Sequence, residues 1–415
     1  MRRAAASRIP ATAALAFFVA FVSNTISGCS GSGTSSITTP PAPSPTANVL
    51  PISVTTGPAA AVNAPVVNIA FTSVTICVPG STTQCQTIDG IMVDTGSPGF
   101  RVLASALTLS LPQQKDSGGN PIAECVQFED GESWGPVQTA DISMAGEKAS
   151  SAAIQVIGST SFPNVPTSCS NLGPVEDDLA SFGANGIVGV GNFVQDCGAA
   201  CTVSGAQNAG FYYTCPATGC SVTTQALAQQ VSNPVSFFAS DNNGVVIELP
   251  AASGAETTLT GSMIFGIGTQ SNNALGSATV YTIDPNTGNI TTTFNGQTYT
   301  DAAFLDSGSN AIYFLNAATT GMSTCADLTF WYCPASTANF SATNQGANGA
   351  TGSFSFSIAN ADTLTSNSND GVAPGLGGPN PGAFDWGLPF FFGRNVYTAI
   401  EGRSTPGGQG PYWAY

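Results

Sequence analysis

The sequence predicts an all-β protein of two β-rich lobes, each carrying one D-[ST]-G-S loop at a central cleft. Three observations carry that expectation. From residue 49 onward the chain breaks into short apolar or alternating runs rich in Val, Ile, Thr and Phe, punctuated by Gly, Asn, Pro and Ser. Helical periodicity is nearly absent, and "TTQALAQQVS" (223–232) is the best short helix. The phrase "IMVDTGSPGF" (91–100) returns as "AFLDSGSNAIYF" (303–314): apolar run, Asp, small hydroxyl residue, Gly, Ser, apolar run.

The N-terminus predicts export. Arg2, Arg3 and Arg8 precede the apolar run "AALAFFVAFV" (13–22), which is too short for a comfortable membrane span, so residues 1–28 read as a signal peptide. "ISGC" (26–29) resembles a bacterial lipobox, in which Cys29 becomes lipid-modified; ordinary cleavage at a small-residue site is the alternative. Ser30, with no Asp at that position, suggests the outer rather than the inner membrane of a Gram-negative cell. Residues 29–48 are small, polar and Pro-rich, cannot bury a core, and read as a tether. The folded part is expected from Val49, as an N-terminal lobe over 49–250 and a C-terminal lobe over 251–415. Residues 49–65 could be a removable pro-segment, although they lack basic residues to neutralise a buried acid pair.

Composition narrows the chemistry. The 415 residues suffice for a sizeable core, yet only 8% are charged, with 24 acidic against 8 basic side chains and a net charge of −16. That balance argues against nucleic acid as a partner and leaves an N-terminal lipid as the expected membrane contact. Histidine is absent, which removes Ser-His-Asp and Cys-His catalysis and HExxH metal sites. Acid–base chemistry must then fall to carboxylates. No metal or cofactor is expected, and a monomer is.

Eleven cysteines become an even ten once Cys29 is set aside, which suits an oxidising compartment. They lie in near pairs: Cys77 with Cys85 and Cys325 with Cys333 flank turns, and Cys125 is left with Cys169. Cys197, Cys201, Cys215 and Cys220 form a local cluster, expected as two disulfides, with zinc the alternative. Strands are expected in "VVNIAFTSVTICV" (66–78), "GVVIELP" (244–250), "SMIFGIG" (262–268) and "GSFSFSIA" (352–359). The aromatic "FYY" (211–213) either lines a binding surface or packs within its stapled loop.

A single D-[ST]-G-S tetrapeptide is a weak signal, since a hairpin turn starting with Asp accounts for it. Two copies, each ending an apolar strand, are a different matter. Asp94 and Asp306 would sit at the tips of buried strands, where a carboxylate is destabilising unless donors hold it. Gly96 and Gly308 let backbone N–H groups approach, and the hydroxyls of Ser97 and Ser309 can donate, with Thr95 and Ser307 completing the loops. Face to face, the two carboxyls would share one proton, one acting as base to a water and the other as acid to a carbonyl.

At these residues the chain resembles the pepsin-like, bilobal aspartic proteases, and its relatives are expected among bacterial aspartic-protease-like lipoproteins. "NGIVGVG" (185–191) resembles the strand crossing behind the first loop, and "GSMIFGIG" (261–268) the strand opening the second lobe. "NVYTAIEGR" (395–403) resembles the last strand of that lobe, preceded by "DWG" (385–387) where two apolar residues and Gly are expected. The resemblance implies an endopeptidase acting on a polypeptide in the inter-lobe cleft. The alternative is a catalytically inactive cell-envelope lipoprotein that binds peptide or glycan there.

Three departures stand out. In the stretch 126–146, Gly131 suits the turn of the family's flap hairpin, but Phe128 takes the place of its tyrosine. Arg101 replaces that tyrosine's tryptophan partner; it either pairs with Glu129 or Glu132 and holds a different flap, or lies near the dyad and lowers its pKa values. Asp385 stands where the family has an apolar residue, and either caps a turn in solvent or brings a third carboxylate to the pair. "SNSNDGVAPGLGGPNPGAFDWG" (366–387) reads as a surface loop, and the three Phe of "GLPFFFGRN" (387–395) as core.

Overall fold

The computed structural model describes residues 47–61, 65–171 and 173–415. The stretches expected as signal peptide and tether, nearly to residue 48, and Cys29 lie outside the described residues. Eight strands form the first group: β1 (Val49–Thr55), β2 (Ile69–Cys77), β3 (Cys85–Asp94), β4 (Pro98–Leu103), β5 (Ile122–Gln127), β6 (Glu132–Met144), β7 (Glu147–Ile157) and β8 (Gly186–Val190). The alternating and apolar runs form these strands because one or both faces are covered; β4 and β8 are buried along their whole length.

One crossing places the first acidic loop. β8 runs between β3 and β4, parallel to the former and antiparallel to the latter, and β4 pairs in parallel with β7. Residues 95–97 must therefore bridge over the end of β8 rather than close a simple hairpin. β5 and β6 form an antiparallel hairpin whose turn is Phe128–Gly131.

The next elements are β9 (Tyr212–Thr214), β10 (Ser221–Val222), β11 (Gly244–Leu249), β12 (Leu259–Phe265), β13 (Val280–Thr282), β14 (Ile290–Phe294), β15 (Gln297–Leu305) and β16 (Ile312–Leu315). After them come β17 (Ala338–Gln345), β18 (Thr351–Ile358), β19 (Gly377–Gly378), β20 (Asn380–Trp386), β21 (Arg394–Ala399), β22 (Ser404–Thr405), β23 (Gly408–Gln409) and β24 (Tyr412–Ala414). Here the crossing repeats. β20 lies between β15 and β16, parallel to the first and antiparallel to the second, and β16 pairs in parallel with β19.

A 15-stranded sheet, β10-β9-β5-β6-β7-β4-β8-β3-β2-β1-β12-β11-β21-β24-β13, joins the two halves, and a 7-stranded sheet, β18-β17-β14-β15-β20-β16-β19, completes the second. β1 is sandwiched between β2 and β12, so removal of residues 49–65 as a pro-segment would take the strand that joins these two out of the sheet. The core of the second half is aromatic, with Phe314 packed edge-on against Phe356 and Phe384 stacked on Trp386. Phe390, Phe391 and Phe392 are core, as the sequence suggests.

Two sequence expectations need correction. Residues 223–232 hold only a 3-10 turn at Leu227–Gln229, because their backbone is engaged elsewhere: the Thr223 N–H donates to Tyr212 and the Gln225 N–H to Cys201. The 366–387 loop is not confined to the surface. Val372, Ala373 and Leu376 are buried, and the Asn68 side chain donates to the carbonyls of Asn310 and Ala373, stitching β2 to the second half. Asn68, adopting a left-handed backbone at φ 54°, is a residue type that tolerates that region.

Five disulfides form: Cys77–Cys85, Cys125–Cys169, Cys197–Cys201, Cys215–Cys220 and Cys325–Cys333. The four-cysteine cluster is thus two disulfides rather than a zinc site. Such a set fits an exported protein, and no helix among the described residues is long and apolar enough to cross a membrane. Only Cys125–Cys169 closes a long loop, of 44 residues, tying β5 to the helical turn Thr167–Ser170. Loop-closure entropy predicts that removing it with a Cys125→Ala/Cys169→Ala pair costs about 4 kcal/mol, against about 2 kcal/mol for the short Cys197–Cys201 loop. Urea denaturation of both double variants checks the ranking; equal losses would contradict it.

Candidate active site

The two acidic loops meet where the halves meet. Asp94 and Asp306 are both fully buried, each at the end of its strand, β3 and β15. The Gly96 N–H donates to Asp94 Oδ1 at 2.6 Å and the Ser97 hydroxyl donates to Oδ2. The second loop repeats the pattern, with the Gly308 N–H on Asp306 Oδ1 at 2.7 Å and the Ser309 hydroxyl on Oδ2 at 2.8 Å. A Cβ on Gly96 would lie 2.5 Å from Asp306 Cγ, and one on Gly308 2.7 Å from Asp94 Oδ1. Each glycine leaves the room that the opposite carboxyl occupies.

Thr95 and Ser307 lock the loops to one another. The Thr95 N–H donates to Ser307 Oγ at 3.1 Å, and the Ser307 N–H donates to Thr95 Oγ1 at 2.9 Å. Each hydroxyl passes its own hydrogen across, Ser307 to the Val93 carbonyl at 2.9 Å and Thr95 to the Leu305 carbonyl at 3.4 Å. Sequence reading made these two residues loop support; their reciprocal bond across the interface was invisible without knowing that the loops face each other.

Burial pushes the Asp94 carboxyl well above its ordinary 3.8, and the charge of Asp306 and a hydrogen bond with it push the same way. Ser97 and Gly96 oppose this as donors. The pair therefore holds a proton far more readily than isolated carboxylates do.

Asp385 is not a solvent-facing cap. It is buried on β20, between β15 and β16, and its Oδ2 lies 2.6 Å from the Ser309 hydroxyl. Strand alternation explains the placement: Phe384 and Trp386 point into the aromatic core, so Asp385 must point to the opposite face, toward the acidic loop. Burial, then the charge of Asp306, raises its carboxyl well above the usual range.

Arg101 forms its ion pairs with neither Glu129 nor Glu132, and it is not among the leading influences on the Asp94 carboxyl. It is fully buried on β4, donating to Glu124 Oε1 at 3.0 Å, Asp196 Oδ2 at 3.1 Å and the Pro98 carbonyl at 2.9 Å. A guanidinium removed from water needs counter-charges removed with it; Glu124 inside β5 supplies one, whereas Glu129 sits on an exposed turn. The Tyr212 hydroxyl donates to Asp196 Oδ1 at 2.8 Å, completing the cluster. Sequence reading missed Glu124 and Asp196; the available signal was a lone charge inside the apolar strand "IAECVQ".

Phe128 and Gly131 do form the hairpin turn, closed by the Phe128 N–H on the Gly131 carbonyl at 2.7 Å. The Phe128 side chain packs on Phe182, in a small core with Phe71 and Met92. The segment at Pro174–Glu176 straps the hairpin by two backbone hydrogen bonds with Glu132. Beside the first acidic loop opens a cavity of about 470 Å³, lined among others by Thr95, Gly96, Phe193, Phe211, Phe304 and Glu401. The "FYY" residues thus divide: Phe211 lines the cavity, while Tyr212 and Tyr213 are core.

A family model described as "Protein of unknown function (DUF3443)" matches residues 44–415, so the chain belongs to that family. No curated protein matches the sequence. Among solved structures, the crystal structure of the aspartic proteinase from Irpex lacteus matches with a TM-score of 0.50 and 13% identity, covering 88% of this chain and 96% of that one. That likeness shows a pepsin-like fold.

The raised Asp94 carboxyl makes a pH prediction. An acid whose folded pKa lies above its ordinary 3.8 leaves stability at its full value below that pH, and stability falls as pH climbs through the folded value. Asp94→Asn removes this loss. Thermal melts from about pH 4 to about pH 8 should show a flatter curve for the variant and a higher Tm than the parent at the upper end. Parallel curves would contradict the raised pKa.

Proposed function

We propose that this DUF3443 member is an aspartic-type endopeptidase whose acid pair is Asp94 and Asp306. The observation that carries the reading is the paired burial of two like carboxyls, held by matching N–H and hydroxyl donors, with no Lys or Arg paired to either among the described residues. A purely structural site gains nothing from that arrangement, which costs stability at every pH where both would ionise.

The chemistry follows from the shared proton. The charged carboxyl takes a proton from a water as its oxygen bonds to the peptide carbonyl carbon, and the protonated one gives its proton to the carbonyl oxygen. The resulting tetrahedral diol is not bonded to the protein. Its collapse breaks the C–N bond as a proton passes to the leaving amine and the second diol hydrogen returns to the pair. Ser97, Ser309 and the two glycine N–H groups keep the carboxyls oriented throughout. The cavity beside Gly96, apolar through Phe193, Phe211 and Phe304, receives a side chain of the polypeptide. Export and attachment through a lipid on Cys29, at the outer membrane, belong to the same proposal.

One observation favours a second reading, a non-catalytic envelope protein that binds peptide or glycan. Phe128 is turned into the core against Phe182, so this turn residue offers no hydroxyl above the acid pair. The decisive experiment incubates the purified protein and its Asp94→Asn variant with an unfolded protein mixture from about pH 3 to about pH 7 and counts new peptide termini by mass spectrometry. Cleavage by the parent alone is the expected result. Silence from a folded parent would leave the binding reading.

A further inference from the structure

We propose that Asp385 is a protonated positioning acid that, through Ser309, fixes the negative charge of the pair on Asp306. The proposal rests on the reading of Asp94 and Asp306 as an acid–base pair, and it assigns the two their separate roles.

A hydrogen count starts the argument. Ser309 carries one hydroxyl hydrogen, yet its Oγ lies 2.8 Å from Asp306 Oδ2 and 2.6 Å from Asp385 Oδ2. Two such contacts to carboxyl oxygens need two hydrogens. The second must sit on a carboxyl, either Asp306 or Asp385.

The surroundings decide between them. Asp306 also accepts the Gly308 N–H at 2.7 Å, so a charge there has two donors. The other oxygen of Asp385 is buried with no hydrogen-bond partner among the described residues. The charged groups that act most strongly on Asp385 are all acids: Asp306 at the end of β15, Glu129 on the β5–β6 turn, and Asp94. Across β16 the paired residue is Tyr313, whose hydroxyl is given to Asn310. The hydrogen therefore stays on Asp385, which donates to Ser309, which donates to Asp306. On the other side the Ser97 hydroxyl meets Asp94 and no further carboxyl.

Three carboxyls thus hold two protons and one charge. Asp306 is the base that takes the water's proton, and Asp94 is the acid that protonates the carbonyl oxygen. Asp385 keeps its proton throughout and touches no reacting atom.

The test labels Asp side chains with 13C at Cγ in the purified protein and follows their NMR shifts with pH, using Asp385→Asn to assign the resonance. The expected result is that the resonance lost in the variant keeps its protonated shift to above about pH 6. Titration near the ordinary value of 3.8 would overturn the proposal, whether or not the protein cleaves peptide. If Asp385→Asn does not fold, the parent decides alone: two protonated Asp carbons at about pH 6 support the proposal and one refutes it.

Cleavage adds a second readout. Asn, like the protonated acid, donates to Ser309 without a charge, so Asp385→Asn should keep kcat within about threefold of the parent and leave the pH limbs in place. Asp385→Leu removes the donor and should lower kcat about tenfold or more. Equal rate losses from Asp385→Asn and Asp385→Leu would mark a structural role and overturn the proposal. A protonated Asp385 with no cleavage from any form would sink the endopeptidase reading and leave the proton placement standing.

Discussion

Two like carboxyls buried side by side, with no cation to neutralise them, are the constraint on which the arrangement turns. Such a pair repels itself and resists desolvation, so it persists only where the backbone overdetermines it. The fold supplies that rigidity twice over. β8 and β20 each run between the two strands that flank an acidic loop, so neither loop can relax into a hairpin. Thr95 and Ser307 then exchange N–H and hydroxyl bonds across the interface, so neither loop can move without the other. In the proposed pair, one shared proton stands in place of a counter-ion.

The two halves repeat one crossing but diverge in what surrounds it. Behind the first loop, β4 carries Arg101 into a cluster with Glu124, Asp196 and Tyr212. Behind the second, β20 sets Asp385 against Ser309 and turns Phe384 and Trp386 into an aromatic core. The repeat makes the site symmetric in its donors; the divergence makes it asymmetric in its charge. Acid–base chemistry needs that asymmetry, since one carboxyl must give a proton while the other takes one.

Sequence reading reached the all-β class, three of the cysteine pairings with two more disulfides in the four-cysteine cluster, and the meeting of the two D-[ST]-G-S loops because each leaves a local mark. Alternation marks strands, closely spaced cysteines mark stapled turns, and a repeated tetrapeptide at two strand ends marks two equivalent turns. What it missed depends on which strand lies beside which. Arg101 and Glu124 are 23 residues apart and Arg101 and Asp196 95, so nothing local links them. The 366–387 segment is rich in Gly, Pro and Asn, as surface loops are, yet its centre packs between the halves because Asn68 satisfies its backbone groups there. Asp385 was ambiguous for the same reason: period-two alternation says that it opposes Phe384 and Trp386, but not what it then faces.

The Arg101 cluster shows by contrast why the acid pair is suited to chemistry. Both are fully buried sets of carboxyls in the same fold. Glu124 and Asp196 share a guanidinium that binds both, and burial and the neighbouring Asp196 still push Glu124 well above the usual carboxyl range. There the arginine donates to three oxygen acceptors, on Pro98, Glu124 and Asp196, and the Tyr212 hydroxyl donates to Asp196. Asp94 and Asp306 have only hydroxyls and N–H groups, which orient a carboxyl without cancelling its charge. A cation beside them would pin both as carboxylates and remove the acid. Glu124 and Asp196 take up the guanidinium of Arg101, which leaves the loops with the hydroxyl and N–H donors that the proposed shared proton requires.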